Sequence, residues 1–435
     1  MNNICLLGDI IVDVTLKNNQ NDLKMRLGGI IHSARALWAI SNEYEIAYVS
    51  PEYLDDRIKT FTENLGNPVI FKIATTTNSP NLVLISEPKE IGDQGYELLL
   101  RDDVIFDYKN NPIITKNRIL ITLGQFNIQE ILSKVKNKKQ KVSLELGENS
   151  IEILNAVQTK FENIYVSTSS KIFKDFITNN DNFSFEEFAK IFKPYCNQLL
   201  LKENRGGTRL YSFNEKKVYQ GSSQTKPVVH SVGVGDVFNA IFESEIYNNI
   251  FDNLTIASFI AMEYASTTFP NNFKEAVNRY MKIPIENLRN LTGITLNWEK
   301  RSNINIYLAA PDFDFVDTNQ LDLLSQALQY HNFRPRRPIK ENGQMNEDDS
   351  EDQKKQIYQN DMKILNECQL MIATLLYNDP GTLVEIGIAS EKRMPIIIFD
   401  PYDIAKNCML TNSATFISNN MDEIVSEVFQ LSSKL

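Results

Sequence analysis

Short apolar runs rich in β-formers alternate with helical stretches along most of the chain before residue 285. The runs that read as strands are 4–7, 45–49, 82–85, 119–123, 142–144, 164–166 and 198–201. The helical stretches are 33–40, 128–135, 185–192 and 237–247. Because strand–helix–strand units build parallel sheets, this order predicts an α/β domain. The segment 95–107 departs from the alternation and predicts a small antiparallel flap.

A second alternation begins at Ile304. Its predicted strands are 304–309, 370–376 and 395–399, and its predicted helices are 319–330, 356–366 and 382–392. The 435 residues exceed what one hydrophobic core usually holds, so two domains are expected. We place the domains at 1–285 and 303–435, with residues 286–302 as the linker. The polar insert 334–355 begins Arg-rich and becomes acid-rich, which predicts a mobile loop.

The charge and composition of the chain exclude several kinds of partner. A formal net charge of −10 argues against a nucleic acid or an anionic membrane surface as the main partner. No apolar run reaches the roughly 18 residues of a membrane helix. The four cysteines form no C-x-x-C pair and there are three histidines, which predicts no metal site and a reduced, cytoplasmic setting. Asp9 follows the apolar N-terminus without a basic region, which indicates a buried strand rather than a signal peptide.

The stretch 379–385 of the second domain reads Asp-Pro-Gly-Thr-Leu-Val-Glu. A predicted buried strand leads into it and a predicted helix leaves it. The Pro-Gly pair marks a turn at the carboxyl edge of the sheet, where open α/β folds bind ligands. We therefore expect Asp379 and Glu385 to face that crevice. The same letters also fit a capping box, in which Thr382 caps the helix and Glu385 bonds back to it. Both interpretations are open at this point.

Three further features accompany this stretch in a fixed order. A strand that carries Tyr307 ends in a turn at Ala310-Pro311, Asn360-Asp361 lies on a helix before the next strand, and the strand 395–399 ends at Asp400. Taken together, this ordered set resembles the nucleoside 2-deoxyribosyltransferase family over about 304–410. The resemblance implies a flavodoxin-like or Rossmann-like parallel α/β domain that acts on N-glycosidic bonds and requires no cofactor.

The resemblance also implies roles for individual residues of the second domain. Glu385 matches the nucleophilic carboxylate and Tyr307 the tyrosine that orients it. The substrate-binding positions that the resemblance implies are Asp361, Asp379, Gly381 and Thr382. Glycosidic cleavage passes through an oxocarbenium-like state that a carboxylate can stabilise or trap covalently, while a proton donor eases departure of the base. Transfer to a second base, hydrolysis by water, the base and the sugar are all left open.

A cluster of arginines could add a phosphate site to the second domain. Relatives in the wider fold hydrolyse nucleoside monophosphates, and guanidinium groups match phosphate geometry. The cluster consists of Arg334, Arg336 and Arg337. The alternative interpretation is a solvated loop.

Two glycines precede an acid at the start of a predicted helix in the first domain. The stretch 231–238 reads Ser-Val-Gly-Val-Gly-Asp-Val-Phe. Backbone N–H groups at a helix N-terminus can cradle a phosphoryl group, and Asp236 could take a proton from an attacking hydroxyl. Alternatively, Asp236 is only an acid placed favourably against the helix dipole.

Other stretches of the first domain give this motif a context. Gly8 and Asp9 follow the first strand, Gly28 and Gly29 precede a helix, and the stretch 199–207 reads Leu-Leu-Leu-Lys-Glu-Asn-Arg-Gly-Gly. The ordered set resembles the ribokinase-like (PfkB) carbohydrate kinase family across about 1–285. The resemblance implies a three-layer α/β fold with a small β flap, and ATP and Mg²⁺ as cofactors.

By the same resemblance Asp236 is the catalytic base of the first domain. The residues implied to bind sugar are Asp13, Gly28 and Gly29, and those implied to bind phosphate or ATP are Gly233, Val234, Gly235, Lys202, Asn204 and Gly207. Several positions depart from the family pattern. His230-Ser231 stands where the family has an acid and Thr, Ser33 replaces an Asn, and Asn204 replaces a Gly. The stretch 166–170 reads Val-Ser-Thr-Ser-Ser instead of containing the N-x-x-E tied to magnesium and phosphate.

Three function hypotheses follow from these patterns. The first is a bifunctional enzyme of nucleoside and nucleotide metabolism, whose second domain cleaves or exchanges the glycosidic bond and whose first domain binds, and could phosphorylate, a sugar or nucleoside. The alternative is a nucleotide-degrading N-glycosidase effector that a degenerate, ligand-sensing kinase-like domain regulates. A binding scaffold without activity is the third and blander interpretation. The expected partners are small molecules (a nucleoside, nucleotide or sugar) and further copies of the chain in a homo-oligomer.

Overall fold

The computed structural model describes residues 3–18, 21–99, 104–108, 113–135, 139–180, 183–291, 293–345 and 348–435. The chain divides into two compact units. The first consists of Met1–Glu90 and Gln94–Thr295, and the second of Ile91–Asp93 and Leu296–Leu435. The predicted linker 286–302 contains most of one short helix and all of another, in which Leu288 and Trp298 are buried.

The first unit contains both strands and helices in alternation. Its strands are β1 (Ile4–Asp9), β2 (Val12–Thr15), β3 (Lys24–Leu27), β4 (Tyr44–Ser50), β5 (Val69–Thr77), β6 (Leu82–Ile85), β7 (Tyr96–Leu98), β8 (Ile105–Asp107), β9 (Arg118–Thr122), β10 (Lys141–Glu145), β11 (Phe161–Ser167), β12 (Cys196–Lys202), β13 (Thr208–Ser212) and β14 (Lys217–Gly221). Its helices are α1 (Ile30–Ala39), α2 (Asp55–Glu63), α3 (Ile128–Val135), α4 (Glu152–Asn155), α5 (Lys171–Thr178), α6 (Phe185–Phe192), α7 (Val234–Glu243), α8 (Ile250–Ala265), α9 (Pro270–Tyr280) and α10 (Ile285–Arg289).

The main sheet of the first unit runs in the order β14-β13-β12-β11-β10-β9-β1-β4-β5-β8 within the described residues. The strands from β12 to β5 pair in parallel, and β13, β14 and β8 are antiparallel additions at the two edges. Every residue of β1 and β4 is buried, which is typical of strands covered by helices on both faces. The predicted α/β class of this unit is confirmed.

A second, smaller sheet of the first unit has the order β3-β2-β6-β7. β2 and β3 are antiparallel, so that Asp13 lies opposite Arg26 and Thr15 opposite Lys24. The flap predicted over 95–107 is divided in the structure. β7 joins this smaller sheet and β8 joins the edge of the main sheet, while residues 100–103 lie outside the described part.

The second unit is a parallel α/β domain. Its strands are β15 (Asn305–Ala309), β16 (Arg334–Arg336), β17 (Leu370–Thr374), β18 (Ile396–Phe399) and β19 (Phe416–Ser418). Its helices are α11 (Trp298–Arg301), α12 (Asn319–Tyr330), α13 (Pro338–Asn342), α14 (Glu351–Glu367), α15 (Pro380–Glu391), α16 (Cys408–Ser413) and α17 (Met421–Ser432). All pairings in the order β16-β15-β17-β18-β19 are parallel among the described residues, which confirms the predicted class.

The predicted mobile loop 334–355 is structured over much of its length. It contains β16, α13 and the start of α14, where the Ser350 hydroxyl accepts from the backbone N–H of Gln353 in a capping box. Polar composition alone misled the prediction, because β16 is an edge strand whose side chains need little burial. Residues 346 and 347 lie outside the described part.

No helix within the described ranges combines the length and the apolar character that crossing a membrane would need. The four cysteines are free thiols, and Cys5, Cys196 and Cys368 are buried.

Candidate functional site

The strongest candidate site of the second unit is built around a tyrosine–carboxylate pair. Tyr307 lies on strand β15, the neighbour of the edge strand β16, and is 1% exposed. Its hydroxyl donates a hydrogen bond of 2.6 Å to Oε1 of Glu385 on α15. The strand and the helix thus fix one oxygen of the carboxylate and hold the other near the carboxyl end of the sheet.

The start of α15 explains how Glu385 reaches this position. Asp379 is the N-cap, and its Oδ2 accepts from the backbone N–H of Thr382 at 2.7 Å and from the Thr382 hydroxyl at 2.8 Å. Pro380 occupies the first helical position, where its missing N–H costs nothing. Glu385 therefore lies in the second turn and bonds to Tyr307. The interpretation of Thr382 and Glu385 as a capping box is wrong, because the helix begins two residues earlier than predicted.

Burial and neighbouring acids set the protonation of this pair. Burial raises the pKa of Glu385 to about 7; the hydrogen bond from Tyr307 opposes the rise, and Asp361 and Asp379 add to it. Burial and the charge of Glu385 raise the pKa of Tyr307 well above its usual value, so the phenol remains a donor at neutral pH. A carboxyl group with a pKa near 7 can act as nucleophile or proton carrier under physiological conditions.

The two other predicted acids lie near Glu385 in different surroundings. Asp361 on α14 accepts a hydrogen bond of 2.8 Å from Nδ2 of Asn342, and burial raises its pKa. Asp379 uses Oδ2 for the helix cap, where it also accepts from the hydroxyl of buried Thr382. Gly381 lies beside this cap, where an added Cβ would be 3.1 Å from Asp379 Oδ2. The structure thus brings Tyr307, Asp361, Asp379 and Glu385 into one electrostatic cluster.

Asp400 and the arginine cluster have structural partners. Asp400 accepts backbone N–H groups of Ile404 and Ala405 at 2.9 and 2.8 Å, which shapes the turn after β18. Arg336 pairs with Glu341 at 2.6 Å and Glu367 at 3.3 Å.

Arg337 is held in a similar way. It makes two hydrogen bonds, of 2.6 and 2.8 Å, to Asp312 and one of 2.5 Å to Asp322. A phosphate at Arg336 or Arg337 would have to displace these carboxylates, whereas Arg334 is exposed at the edge of the sheet.

In the first unit, Asp236 lies in the first turn of α7. Gly233 caps that helix with φ of 78°, and an added Cβ there would overlap the ring of His32 at 2.1 Å, so only glycine fits. Burial raises the pKa of Asp236 to about 7; Glu145 contributes to the rise, and Lys202 opposes it.

Lys202 and Glu145 form a pair at the same helix start. Nζ of Lys202 lies 2.8 Å from Glu145 Oε2, which also accepts a hydrogen bond from Asn239. An added Cβ on Gly235 would be 2.9 Å from Lys202 Nζ, so this glycine admits the ammonium close to the helix. Sequence reasoning missed Glu145, because nothing in its strand marks it as different from a surface acid.

The loop 204–207 contains two residues in the left-handed region of the backbone. Asn204 adopts φ of 53° and Gly207 φ of 102°. Asn is among the residues that tolerate the left-handed region, so the replacement of glycine preserves the turn. The Asn204 side chain accepts a hydrogen bond of 3.1 Å from the Thr168 hydroxyl.

The predicted sugar acid Asp13 is 3% exposed and already has protein partners. Nε2 of His32 lies 2.9 Å from Asp13 Oδ2, and Nε of Arg26 lies 3.5 Å from the same oxygen. Burial alone would raise the pKa of Asp13, but His32, Arg26 and Arg35 together hold it below its usual value. Gly28 packs directly on this carboxylate, since an added Cβ would be 2.2 Å from Oδ1. Gly29, with φ of 60°, starts the turn into α1.

His32 extends this network further into the first unit. Burial lowers its pKa to about 4, so the ring is neutral at pH 7 and donates through Nε2 to Asp13. Nδ1 then accepts from the Tyr264 hydroxyl at 2.6 Å, and Arg35 donates to that hydroxyl at 3.0 Å. Sequence reasoning missed this network. His32 lies four residues after Gly28 and is one of three histidines in the chain, which is the signal that could have found it.

Among the described residues, no group of three or more His, Cys, Asp and Glu side chains is arranged to hold a metal ion.

Comparison with known proteins assigns a family to part of the chain. Residues 306–421 match the family model of nucleoside 2-deoxyribosyltransferase. This match confirms the resemblance that the C-terminal motifs predicted, over a domain rather than over the whole chain. No curated protein matches the chain.

Solved structures similar to the chain are kinases of the ribokinase family. Arabidopsis thaliana ribokinase complexed with ribose and ATP is 16% identical, with 65% of this chain and 99% of that chain covered and a TM-score of 0.46. The nucleoside kinase of Burkholderia thailandensis in complex with inosine is 12% identical, with 67% and 99% covered and a TM-score of 0.48. Fructokinase from Vibrio cholerae O395 in fructose-, ADP- and calcium-bound form is 12% identical, with 65% and 99% covered and a TM-score of 0.49.

Proposed function

We propose that the second unit cleaves or exchanges the N-glycosidic bond of nucleosides, with Glu385 as the nucleophile. The observation that carries this proposal is the 2.6 Å hydrogen bond between buried Tyr307 and Glu385. A carboxylate held in this way at a ligand-binding edge of the sheet is arranged to approach one face of a sugar ring. The match of residues 306–421 to the nucleoside 2-deoxyribosyltransferase model supports the same chemistry.

The proposed reaction has two steps. In the first, a Glu385 oxygen bonds to the anomeric carbon as the bond between that carbon and the base nitrogen breaks, and the base leaves with a proton from a neighbouring acid. In the second, a new base or water attacks the anomeric carbon and the bond from that carbon to Glu385 breaks. The proton that the incoming base or water loses passes to the neighbouring acid. Asp361 is suited to hold that proton, because burial raises its pKa. Asp379 is suited to bind the substrate.

Tyr307 is proposed to orient Glu385 and to keep part of it ionised. Its hydrogen bond lowers the pKa of Glu385 against the effect of burial. Without this donor the pKa of Glu385 would be higher, so a smaller fraction of the carboxyl would be ionised at neutral pH and able to attack. Tyr307 also restrains one carboxylate oxygen, which leaves the other in a defined direction.

The charges of the site favour an uncharged nucleoside over a nucleotide. The electrostatic potential of the site is made more negative by Asp361, Asp379 and Glu385. The nearby guanidinium groups of Arg336 and Arg337 are already paired with carboxylates. A phosphate group would be repelled by the acids and would gain little from arginines that already have partners.

A nucleoside panel tests the proposal. The purified chain is incubated with ribo- and deoxyribonucleosides, with and without a second free base, and with the corresponding 5′-monophosphates. Chromatography is expected to detect free base or exchanged nucleoside, with the nucleoside preferred over its monophosphate. If no substrate yields either product, the proposal is wrong. A preference for the monophosphate would contradict the assignment of substrate class.

For the first unit, a kinase activity is the second candidate function. Asp236 has a pKa near 7 at a helix start and could take a proton from an attacking hydroxyl. A triphosphate would be held by backbone N–H groups of Gly233, Val234 and Gly235 and by Lys202. The side chains present do not fit a protein-built magnesium site, because the N-x-x-E acid is absent and Glu145 is paired with Lys202.

The occupied state of Asp13 favours the alternative, in which this unit senses a ligand rather than phosphorylating a sugar. His32 and Arg26 both approach Oδ2 of that buried carboxylate, which leaves a sugar hydroxyl little access to this oxygen. Measuring ADP formation with a sugar and nucleoside panel separates the two. ATP-dependent product that disappears in Asp236→Asn supports the kinase, whereas ligand binding by calorimetry without turnover supports the sensor.

A further inference from the structure

The first unit contains a cleft apart from the Asp236 carboxylate and from Lys202. It encloses about 550 Å³ between strands β2 and β3 and the segments that carry Lys89, His230 and Thr268. Known small-molecule pockets have volumes of roughly 300–1,000 Å³. The cleft therefore has room for a metabolite larger than a simple inorganic ion.

The lining of the cleft is cationic in a chain whose net charge is −10. Lys24, Arg26 and Lys89 face one acid, Asp22. The ammonium groups of Lys24 and Lys89 make no ion pair with any other described residue, whereas many other basic side chains of the unit do. Two unpaired ammonium groups beside a guanidinium are suited to an anion that carries two charges.

The other walls are suited to the uncharged part of such a ligand. Pro88, Val228 and Val229 provide apolar surface, and Thr15 and Thr268 provide hydroxyl groups. A mixture of apolar wall and a few polar groups is typical of pockets for small organic molecules.

The cleft is also connected to the start of α7. Arg26 donates to the carbonyl of Val232 at 3.1 Å, directly before Gly233, and approaches Asp13 at 3.5 Å. Its Nη2 also donates to Nδ1 of His230 at 3.1 Å, while Nε2 of that ring donates to the Thr267 carbonyl at 3.0 Å. An anion that draws Arg26 toward the cleft would weaken the contact to Val232. Binding would then alter the loop that precedes Asp236.

We propose that this cleft binds a small phosphate monoester through the ammonium groups of Lys24 and Lys89, with the engaged guanidinium of Arg26 beside them. The ligand is a phosphorylated metabolite of about nucleoside-monophosphate size. The site is lined by residues of the first unit and does not depend on the glycosidic chemistry of the second unit.

Calorimetric titration of the full chain tests the proposal. The probes are AMP, ribose 5-phosphate, inorganic phosphate and adenosine, each at low and high salt. Binding of at least one monoester is expected, with adenosine inactive and with affinity falling as salt rises. The double variant Lys24→Gln/Lys89→Gln should weaken that binding at least tenfold. The matched control Lys59→Gln/Lys171→Gln changes two exposed lysines of the same unit and should not.

A second variant distinguishes the cleft from the helix start of α7. Lys202→Gln should leave monoester binding unchanged if the cleft is the site. Loss of binding in Lys202→Gln with retention in the Lys24/Lys89 variant would overturn the proposal. So would failure of both monoesters to bind, or inorganic phosphate binding as tightly as they do. Backbone hydrogen exchange over 231–235 should change when the monoester is added to the wild type, and should not change in the Lys24→Gln/Lys89→Gln variant.

Discussion

The two units each place a carboxyl group with a pKa near 7 in an early turn of a helix, but the surroundings of the two groups differ. Glu385 accepts a hydrogen bond from Tyr307, with Asp361 and Asp379 nearby. The Asp236 carboxylate accepts no hydrogen bond from the described residues and lies near Lys202 and Glu145. The second unit thus fixes its proposed nucleophile, Glu385, by a hydrogen bond. In the first unit the carboxylate of Asp236 remains available to a bound ligand.

The predicted substrate acids differ in the same way. In the second unit, Asp361 and Asp379 each commit one oxygen to a protein donor in the contacts of the described residues. In the first unit, His32 and Arg26 also approach a single oxygen of Asp13, but this carboxylate is 3% exposed, whereas Asp361 and Asp379 are only partly buried. Two domains that both keep the general pattern of an enzyme can therefore differ in how accessible the substrate acid is. The family resemblance alone does not reveal this difference.

The largest effect is expected from removing the nucleophile. Glu385→Gln keeps the hydrogen bond from Tyr307 but cannot attack the anomeric carbon, so base release should fall on the order of 10³-fold or more. The measurement is steady-state kinetics on the best nucleoside of the panel. Glu391→Gln, an exposed position at the end of the same helix, is the matched control and should keep wild-type activity. Near-normal turnover in Glu385→Gln would show that Glu385 is not the nucleophile, and the contrast with Asp236 would then have no functional meaning.

The pH dependence of the second unit should follow the raised pKa of Glu385. Below pH 7 the carboxyl group is increasingly protonated, so kcat/KM should fall about tenfold per pH unit as the pH drops and level off above 7. A pH–rate profile from 4.5 to 8.5 measures this. An acid limb near the ordinary carboxyl range of about 4 would mean that burial does not control Glu385.

A smaller effect is expected from Tyr307→Phe. The ring still fills the core, but the hydrogen bond that opposes the effect of burial is lost, so the pKa of Glu385 should rise. The acid limb of the pH profile should shift to higher pH, and kcat should fall roughly tenfold to a hundredfold at neutral pH. An unchanged limb with an unchanged melting temperature would show that Tyr307 does not position the carboxylate.

The smallest effect concerns the stability of the first unit. His32→Leu removes the main donor to buried Asp13 and should lower the free energy of unfolding by about 1–3 kcal/mol at neutral pH. The exposed control Asp56→Asn should change it by less than about 0.5 kcal/mol. Because the pKa of Asp13 is held low, its stabilisation is complete above the ordinary carboxyl pKa and is lost as pH falls through the lowered value.

Urea unfolding at pH 7 and at pH 3 measures this difference. The gap between wild type and His32→Leu should narrow at the lower pH. An equal gap at both values would mean that the ionised Asp13 carboxylate contributes little to the stability of the first unit.

Periodicity and turn residues predicted much of the fold, because buried parallel strands and their helices leave clear apolar patterns. The helices 128–135, 185–192 and 319–330 agree with the structure to the residue. The strand Lys24–Leu27 was missed because its side chains are largely exposed and show no apolar run. The helix Ile250–Ala265 was missed because it is buried on most sides and lacks an amphipathic contrast.

The two candidate sites differed in how far the sequence could predict them. Tyr307 and Glu385 lie on a strand and a helix whose order in the chain predicts that they meet at one edge of the sheet. The partners of Asp13 are Arg26 and His32, and Tyr264 on a third element bonds in turn to His32. Only the packing of the folded chain shows that these residues form one network around Asp13.

Mass spectrometry of the acid-quenched protein tests the central proposal most directly. The chain is mixed rapidly with a nucleoside substrate, quenched and digested, and the peptides are compared with those of Glu385→Gln. A mass increase equal to one sugar residue on Glu385 of the wild type, absent from the variant, is the predicted result. Sugar attached to a different residue, or base release by Glu385→Gln at the wild-type rate, would contradict the account.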